Sequence, residues 1–245
     1  MITRAELAAT IDHTLLRPEA TEAQVIELCD EAVELGTATV CVSASMVSVA
    51  ASAAAGRVGV GTVIGFPSGA HRPEIKALEA RLAVAEGAEE LDMVVDLGAV
   101  KAGDWLAVAA DVAAVRRDTP VVLKVILESA ALEPAELERA AEAALAAGAD
   151  YLKTSTGFHP AGGATVDAVA TLARLAAAAG VGPSGHPVGV KASGGIRDAA
   201  TALAMLDAGA TRLGCSATRA ILDGLDGLDG LDGVDPVAPA IPPSR

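Results

Sequence analysis

Short runs of β-branched and aliphatic residues alternate with longer segments rich in Ala, Leu and Glu along nearly the whole chain. The short runs read as strands buried on both faces, which are apolar throughout instead of alternating. Eight are predicted, at 9–15, 37–42, 58–65, 90–95, 121–127, 151–154, 188–191 and 212–214. Between and after them the helical segments fall at 22–35, 44–55, 72–86, 105–117, 134–147, 166–179, 198–208 and 216–222. Glycine follows many of these segments, at Gly36, Gly56, Gly87, Gly148, Gly180 and Gly209, where a chain leaving a helix needs a left-handed residue. Eight βα units without a break in composition predict one (β/α)8 barrel. An open doubly wound sheet is the alternative, but no Gly-x-Gly-x-x-Gly turn follows the first strand.

Composition supports this picture. Hydrophobic residues make up 52% of the 245 positions and aromatic ones only 2%, so the core is aliphatic and Ala-rich, as helices packed on a parallel sheet require. A net charge of −14 argues against a nucleic-acid or anionic-membrane partner. Three widely spaced cysteines, Cys29, Cys41 and Cys215, do not form a disulfide framework and point to a reducing, cytoplasmic setting. No apolar signal core or membrane span is legible. The barrel is expected to occupy 1–222. From 223 to 245 a Leu-Asp-Gly triplet repeats and gives way to Pro-rich sequence, which reads as a disordered acidic tail.

The candidate chemistry lies late in the strands, where a barrel carries its active site. Lys153 and Lys191 end consecutive strands. Two lysines held together in an apolar setting resist being charged together, and one can become a free amine that attacks a carbonyl to form a Schiff base. Lys124, Asp92 and Asp12 are further strand residues, with Asp96 expected on the face of Asp92. Taken singly each reads as a structural ion pair; a cluster of this kind marks a site. Two glycine-rich loops, Ser193-Gly-Gly195 and Gly214-Cys-Ser216, precede helices, where exposed amides bind phosphate. The histidines His13, His71, His159 and His186 show no metal-ligand spacing and read as loop or surface residues, so neither metal nor cofactor is expected. Cys41 ends the second strand and reads either as a reactive rim thiol or as a small buried apolar residue.

Several segments resemble the deoxyribose-phosphate aldolases, class I Schiff-base enzymes. They are Asp12-His-Thr-Leu-Leu16, Val40-Cys-Val42, Val63-Ile-Gly-Phe-Pro67, Leu91-Asp-Met-Val-Val95, Leu123-Lys-Val-Ile-Leu-Glu128, Tyr151-Leu-Lys-Thr-Ser-Thr-Gly-Phe158 and Val190-Lys-Ala-Ser-Gly-Gly-Ile-Arg197. The resemblance implies that Lys153 is the Schiff-base lysine and that Asp92 and Lys191 donate and accept protons. Lys124, Asp12 and Thr154 then form the supporting set, and Gly157, Ser193, Gly194, Gly195, Gly214 and Ser216 the phosphate set. The implied reaction is cleavage of 2-deoxy-D-ribose 5-phosphate to glyceraldehyde 3-phosphate and acetaldehyde, without metal. Ser43-Ala44 replaces the usual Asn-Pro, Asp96 replaces a frequent Asn, and the tail lacks the Tyr that some members carry. The rival readings are an aldolase for another phosphorylated sugar and a barrel that only binds a sugar phosphate. A homo-oligomer is compatible with the sequence but not specified by it.

Overall fold

The structure is a computed structural model and describes residues 2–229. Eight parallel strands form a closed barrel in chain order, each pairing with the next and the last with the first. They are β1 (Ile11–Leu15), β2 (Thr39–Val42), β3 (Gly59–Ile64), β4 (Glu90–Val94), β5 (Val122–Ile126), β6 (Tyr151–Lys153), β7 (Gly189–Ser193) and β8 (Arg212–Cys215). The helices are α1 (Arg4–Ala8), α2 (Glu22–Leu35), α3 (Val47–Ala54), α4 (Pro73–Ala85), α5 (Leu97–Lys101), α6 (Trp105–Arg117), α7 (Pro134–Ala146), α8 (Val166–Ala179), α9 (Ala199–Asp207) and α10 (Thr218–Asp229).

The pleat divides each strand between two interiors. Leu91, Met93, Leu123, Val125, Leu152, Val190 and Leu213 join the apolar layer between sheet and helices. The alternating positions Asp92, Lys124, Lys153 and Lys191 fall inside the barrel, and all four are buried. The helices meet the sheet through small side chains, such as Ala77, Ala80 and Ala83 of α4 and Ala140, Ala141 and Ala144 of α7. The short residues let the helix axes approach the strands closely, which is why so few aromatics are needed. Side-chain caps start many helices: Thr21 and Gln24 form a reciprocal box on α2, while Asp104, Thr165 and Asp198 cap α6, α8 and α9. Each such cap contributes about 1 kcal/mol. All six glycines expected at helix ends have positive φ.

Three expectations need correction. The first strand starts at Ile11, not at 9, because Arg4–Ala8 forms a short helix closed by a Thr3–Glu6 capping box. Asp96 is not on the face of Asp92: β4 ends at Val94, and the Asp96 carboxylate instead accepts the Gly98 and Ala99 N–H groups at the start of α5. The last helix does not stop at Leu222. It runs to Asp229, with Leu225 buried and Asp223 paired to Arg4 at 2.8 Å. A leucine every third residue is close enough to the helical period to put Leu222 and Leu225 on one apolar face, and their burial outweighs the glycine penalty. The remainder of the expected tail, 230–245, lies outside the described residues. No helix among the described residues is long and apolar enough to cross a membrane.

Candidate active site

The barrel interior holds one connected charge cluster. Asp92 on β4 is fully buried and receives three lysines: Lys153 and Lys191 each reach Oδ2 at 2.6 Å, and Lys124 reaches Oδ1 at 2.8 Å. The sheet register sets this up, pairing Asp92 with Lys124 across β4 and β5, and Lys153 with Lys191 across β6 and β7. Lys191 also bonds Asp12 Oδ2. Lys124 pairs with Glu90 Oε2 at 2.5 Å. Arg212 closes the lower side, 2.6 Å from Asp12 Oδ1 and 3.2 Å from Glu90 Oε1, with its guanidinium over the Tyr151 ring.

Four cationic side chains thus meet three carboxylates, Asp12, Glu90 and Asp92. An uncompensated buried charge is costly, and the least expensive resolution is for one lysine to lose its proton. Lys153 is the one of the three lysines on which this pressure falls. Burial pushes its pKa down and the adjacent Lys191 charge adds to the effect, more than Asp92 offsets. Burial also opposes charge on Lys191 and Lys124, but their carboxylate partners prevail and raise both above the ordinary lysine value. Burial works against the charged forms of Asp92 and Asp12 as well, and the surrounding cations overcome it, holding both carboxyls far below the usual range.

Of this cluster, only Lys153 reaches the cavity of about 270 Å³ at the C-terminal mouth of the barrel. All six residues of the expected phosphate set, Gly157, Ser193, Gly194, Gly195, Gly214 and Ser216, line that cavity. The N–H groups of Gly157, Gly194, Gly195 and Ser216 donate to no protein acceptor among the described residues. No carboxylate lines the cavity, although the chain carries 32 acidic residues; Arg17 and Arg197 do line it, and among the described residues neither makes an ion pair. Such a mouth, with free amides and guanidinium groups, suits an anion. Glycine is required at position 194, where φ is +88° and an added Cβ would lie 3.0 Å from Gly163 Cα. A larger depression, about 370 Å³, lies at the opposite end between the α6–β5 and α8–β7 connections and contains none of the cluster.

Thr154 does not enter the cavity. Its hydroxyl donates to Ser193 O at 3.1 Å and accepts from Ser193 N at 3.0 Å, tying β6 to β7 beside the two lysines. Cys41 is buried among the cluster without reaching the cavity, and burial pushes its thiol pKa up, so the small buried residue is the reading that holds. The three cysteines are free. His13 is not a surface residue: it is buried on β1, with Nδ1 2.8 Å from Thr218 Oγ1 and Nε2 3.1 Å from Glu31. No group of three His, Cys, Asp or Glu side chains suited to a metal occurs among the described residues.

Sequence reasoning missed Glu90, Arg212, Arg17, Arg197, Thr156 and Glu128 as parts of this region. Glu90 and Arg212 were accessible from strand alternation, since Glu90 stands two residues before Asp92 and Arg212 two before Gly214. The cavity arginines sit on loops, where no periodicity announces them.

Comparison with known proteins agrees with this geometry. Residues 7–224 match the family described as DeoC/LacD family aldolase. A deoxyribose-phosphate aldolase of Kocuria rhizophila is 56% identical over 227 residues, covering 92% of this chain and 99% of that protein. A putative deoxyribose-phosphate aldolase from Coccidioides immitis superposes with a TM-score of 0.86 at 39% identity, covering 92% of this chain and 87% of the other. The deoxyribose phosphate aldolase from Aeropyrum pernix, described as having a unique tetrameric structure, superposes with a TM-score of 0.81 at 34% identity, covering 92% and 93%. With a family match over most of its length and relatives this similar, the chain belongs to the DeoC/LacD family of aldolases.

Proposed function

We propose that the protein catalyses the reversible retro-aldol cleavage of 2-deoxy-D-ribose 5-phosphate, with Lys153 as the Schiff-base residue. The observation that carries this reading is the surplus cation: four cationic groups against three carboxylates, with the one lysine of lowered pKa lying at the cavity floor. Neutral Lys153 Nζ attacks the C1 aldehyde, the carbinolamine loses water, and a cationic iminium results. Asp92 Oδ2, 2.6 Å from the nitrogens of both Lys153 and Lys191, stabilises that cation and takes protons from the Lys153 adduct, passing them to water. Lys191 stays protonated and acts by its charge. As the C2–C3 bond breaks, the C3 hydroxyl loses its proton through Asp92 and a water, and C3 becomes the aldehyde of glyceraldehyde 3-phosphate. The bonding electrons flow into the iminium to give an enamine, which is protonated at C2 and hydrolysed to acetaldehyde. Lys124 and Asp12 orient Asp92 and Lys191.

The phosphate is held by the amides of Gly157, Gly194, Gly195 and Ser216, with Ser193 and Gly214 shaping the floor and Arg17 and Arg197 supplying charge. No step calls on a metal or cofactor. Free buried cysteines suit a cytoplasmic setting, and an exposed stripe of Ile75, Leu78 and Leu82 on α4 suits self-association. Borohydride reduction in the presence of substrate tests the reading: the adduct mass is expected on the peptide carrying Lys153. Labelling of Lys191 or Lys124 overturns the assignment, and no adduct at all leaves a mere sugar-phosphate binder. Aldehyde analysis distinguishes this substrate from another phosphorylated sugar.

A further inference from the structure

Glu128 combines two unfavourable features at the mouth of the barrel. Its backbone is left-handed, at φ 56° and ψ 53°, a conformation that costs any residue with a Cβ. Its carboxylate is buried and, among the described residues, has no cationic partner within ion-pair distance. Both features serve one contact. The carboxylate accepts the Thr156 N–H at 3.2 and 3.3 Å and the Thr156 hydroxyl at 2.5 Å. The Thr156 hydroxyl in turn accepts the Phe158 N–H at 3.0 Å. Ser129 N, next along, donates to Thr154 O at 2.8 Å, so the loop after β5 braces the loop after β6 at two levels.

What is braced is functional surface. Thr156, Gly157 and Phe158 line the cavity above Lys153, and Gly157 lies against Gly194 of the phosphate loop, so closely that a Cβ on Gly194 would stand 3.3 Å from Gly157 Cα. Phe158 also packs edge-on against Phe66, ring centroids 5.1 Å apart, closing the far side of the segment. A loop of this kind, three residues with a central glycine at φ +81°, has no ladder of its own to fix it. Left-handed strain at a non-glycine residue persists only where the surroundings hold it; the Glu128 carbonyl accepts the Ala131 N–H at 2.9 Å in the turn that follows, and among the described residues its carboxylate holds only the groups of Thr156.

We propose, taking the aldol chemistry at Lys153 as given above, that Glu128 is a positioning residue: acting through Thr156, it sets the wall that orients the phosphorylated substrate over the reactive amine. It touches neither substrate nor reacting atoms.

The test uses the full-length enzyme with Thr156→Val, Thr156→Ser, Glu128→Gln and the Glu128→Gln/Thr156→Val pair. Thr156→Val removes the hydroxyl at nearly constant shape, and KM for 2-deoxyribose 5-phosphate is expected to rise about tenfold, the factor for losing one hydrogen bond to a charged group. KM for unphosphorylated 2-deoxyribose should rise much less, because that substrate does not use the Gly157–Gly194 wall. Thr156→Ser should recover most of the loss, and the double variant should be no worse than the poorer single variant, as two ends of one contact require. Equal losses on both sugars, additive effects, or a lowered melting temperature that Thr156→Ser does not restore would reduce Glu128 to a fold-stabilising residue and overturn the proposal. Trapping with acetaldehyde and borohydride separates the two levels: an untrapped wild-type Lys153 defeats the aldolase reading, whereas a trapped wild type with kinetically silent variants defeats only the role of Glu128.

Discussion

Replacing Lys191 by Met tests the electrostatic part of the proposal that Lys153 acts as a free amine. Lys153 and Lys191 each lie 2.6 Å from the same oxygen, Asp92 Oδ2, so their nitrogens are within twice that distance of one another. At a separation of about 5 Å and an effective dielectric constant of about 20, two like charges repel by roughly 3 kcal/mol, equivalent to about two pH units. Removing Lys191 removes that repulsion and leaves Asp92 shared by one cation fewer, so both changes raise the Lys153 pKa. The reactive form is the neutral one. The acid limb of kcat/KM, which reports the free enzyme, is therefore expected to move about two units alkaline, with activity near neutrality down roughly a hundredfold and recovering as pH rises. The pH dependence of borohydride trapping gives the same pKa without reference to turnover. Truncating one partner of a buried ion pair also costs about 3–5 kcal/mol of stability, so melting curves must accompany the rates. Arg212 still holds Asp12 Oδ1 and limits the damage. An unmoved acid limb with full rate would mean that burial alone, not Lys191, lowers the Lys153 pKa.

Gly195→Asp places a carboxylate at the proposed phosphate loop, where no atom lies within 4 Å of an added Cβ, so KM for the phosphorylated sugar should rise far more than that for 2-deoxyribose. Equal losses would argue that the φ of +85° alone is the problem. Ending the chain at Gly224 removes buried Leu225, whose loss at roughly 2–3 kcal/mol should lower the melting temperature by about 5–10 °C, while a chain ending at Asp229 should melt near the full protein. Leu78→Lys with Leu82→Lys charges the exposed α4 stripe and is expected to lower the mass measured by light scattering; an unchanged mass would remove that face from any interface.

Local physics made most of the scaffold legible. β-branched runs marked all eight strands, and Gly36 or Gly148 marked helix ends because a left-handed exit is a property of one residue and its neighbours. The pairing of Lys153 with Lys191 also followed from the chain, since consecutive strands in a barrel are neighbours and both lysines come late in theirs. What stayed hidden depends on closure of the ring. Arg212 meets Asp12 across 200 positions only because β8 pairs with β1. Glu128 ends an apolar strand run, and nothing in its sequence neighbourhood announces a left-handed turn. His13 reads as a loop residue until Glu31 and Thr218 are seen on either side of it. The first Leu-Asp-Gly triplet, 222–224, reads as a coil because composition does not contain the partner surface, which α1 and α9 supply through Arg4 and Ala199.

The choice among the three lysines shows the same boundary at a single atom. Lys124, Lys153 and Lys191 all fall inside the barrel from three successive strands, Lys153 level with Lys191 and Lys124 one inward position deeper, level with Tyr151, and alternation alone cannot rank them. Their partners can. Lys124 bonds Asp92 and Glu90 and lies 3.7 Å from Asp12; Lys191 bonds Asp12 and Asp92; Lys153 has Asp92 alone. Each carboxylate raises the cost of losing the proton, so the lysine with one partner loses it first. It is also the only lysine of the three that lines the cavity, so under the proposed mechanism no separate device is needed to activate it: the strand that leaves Lys153 short of carboxylates is the strand that brings it to the mouth of the barrel.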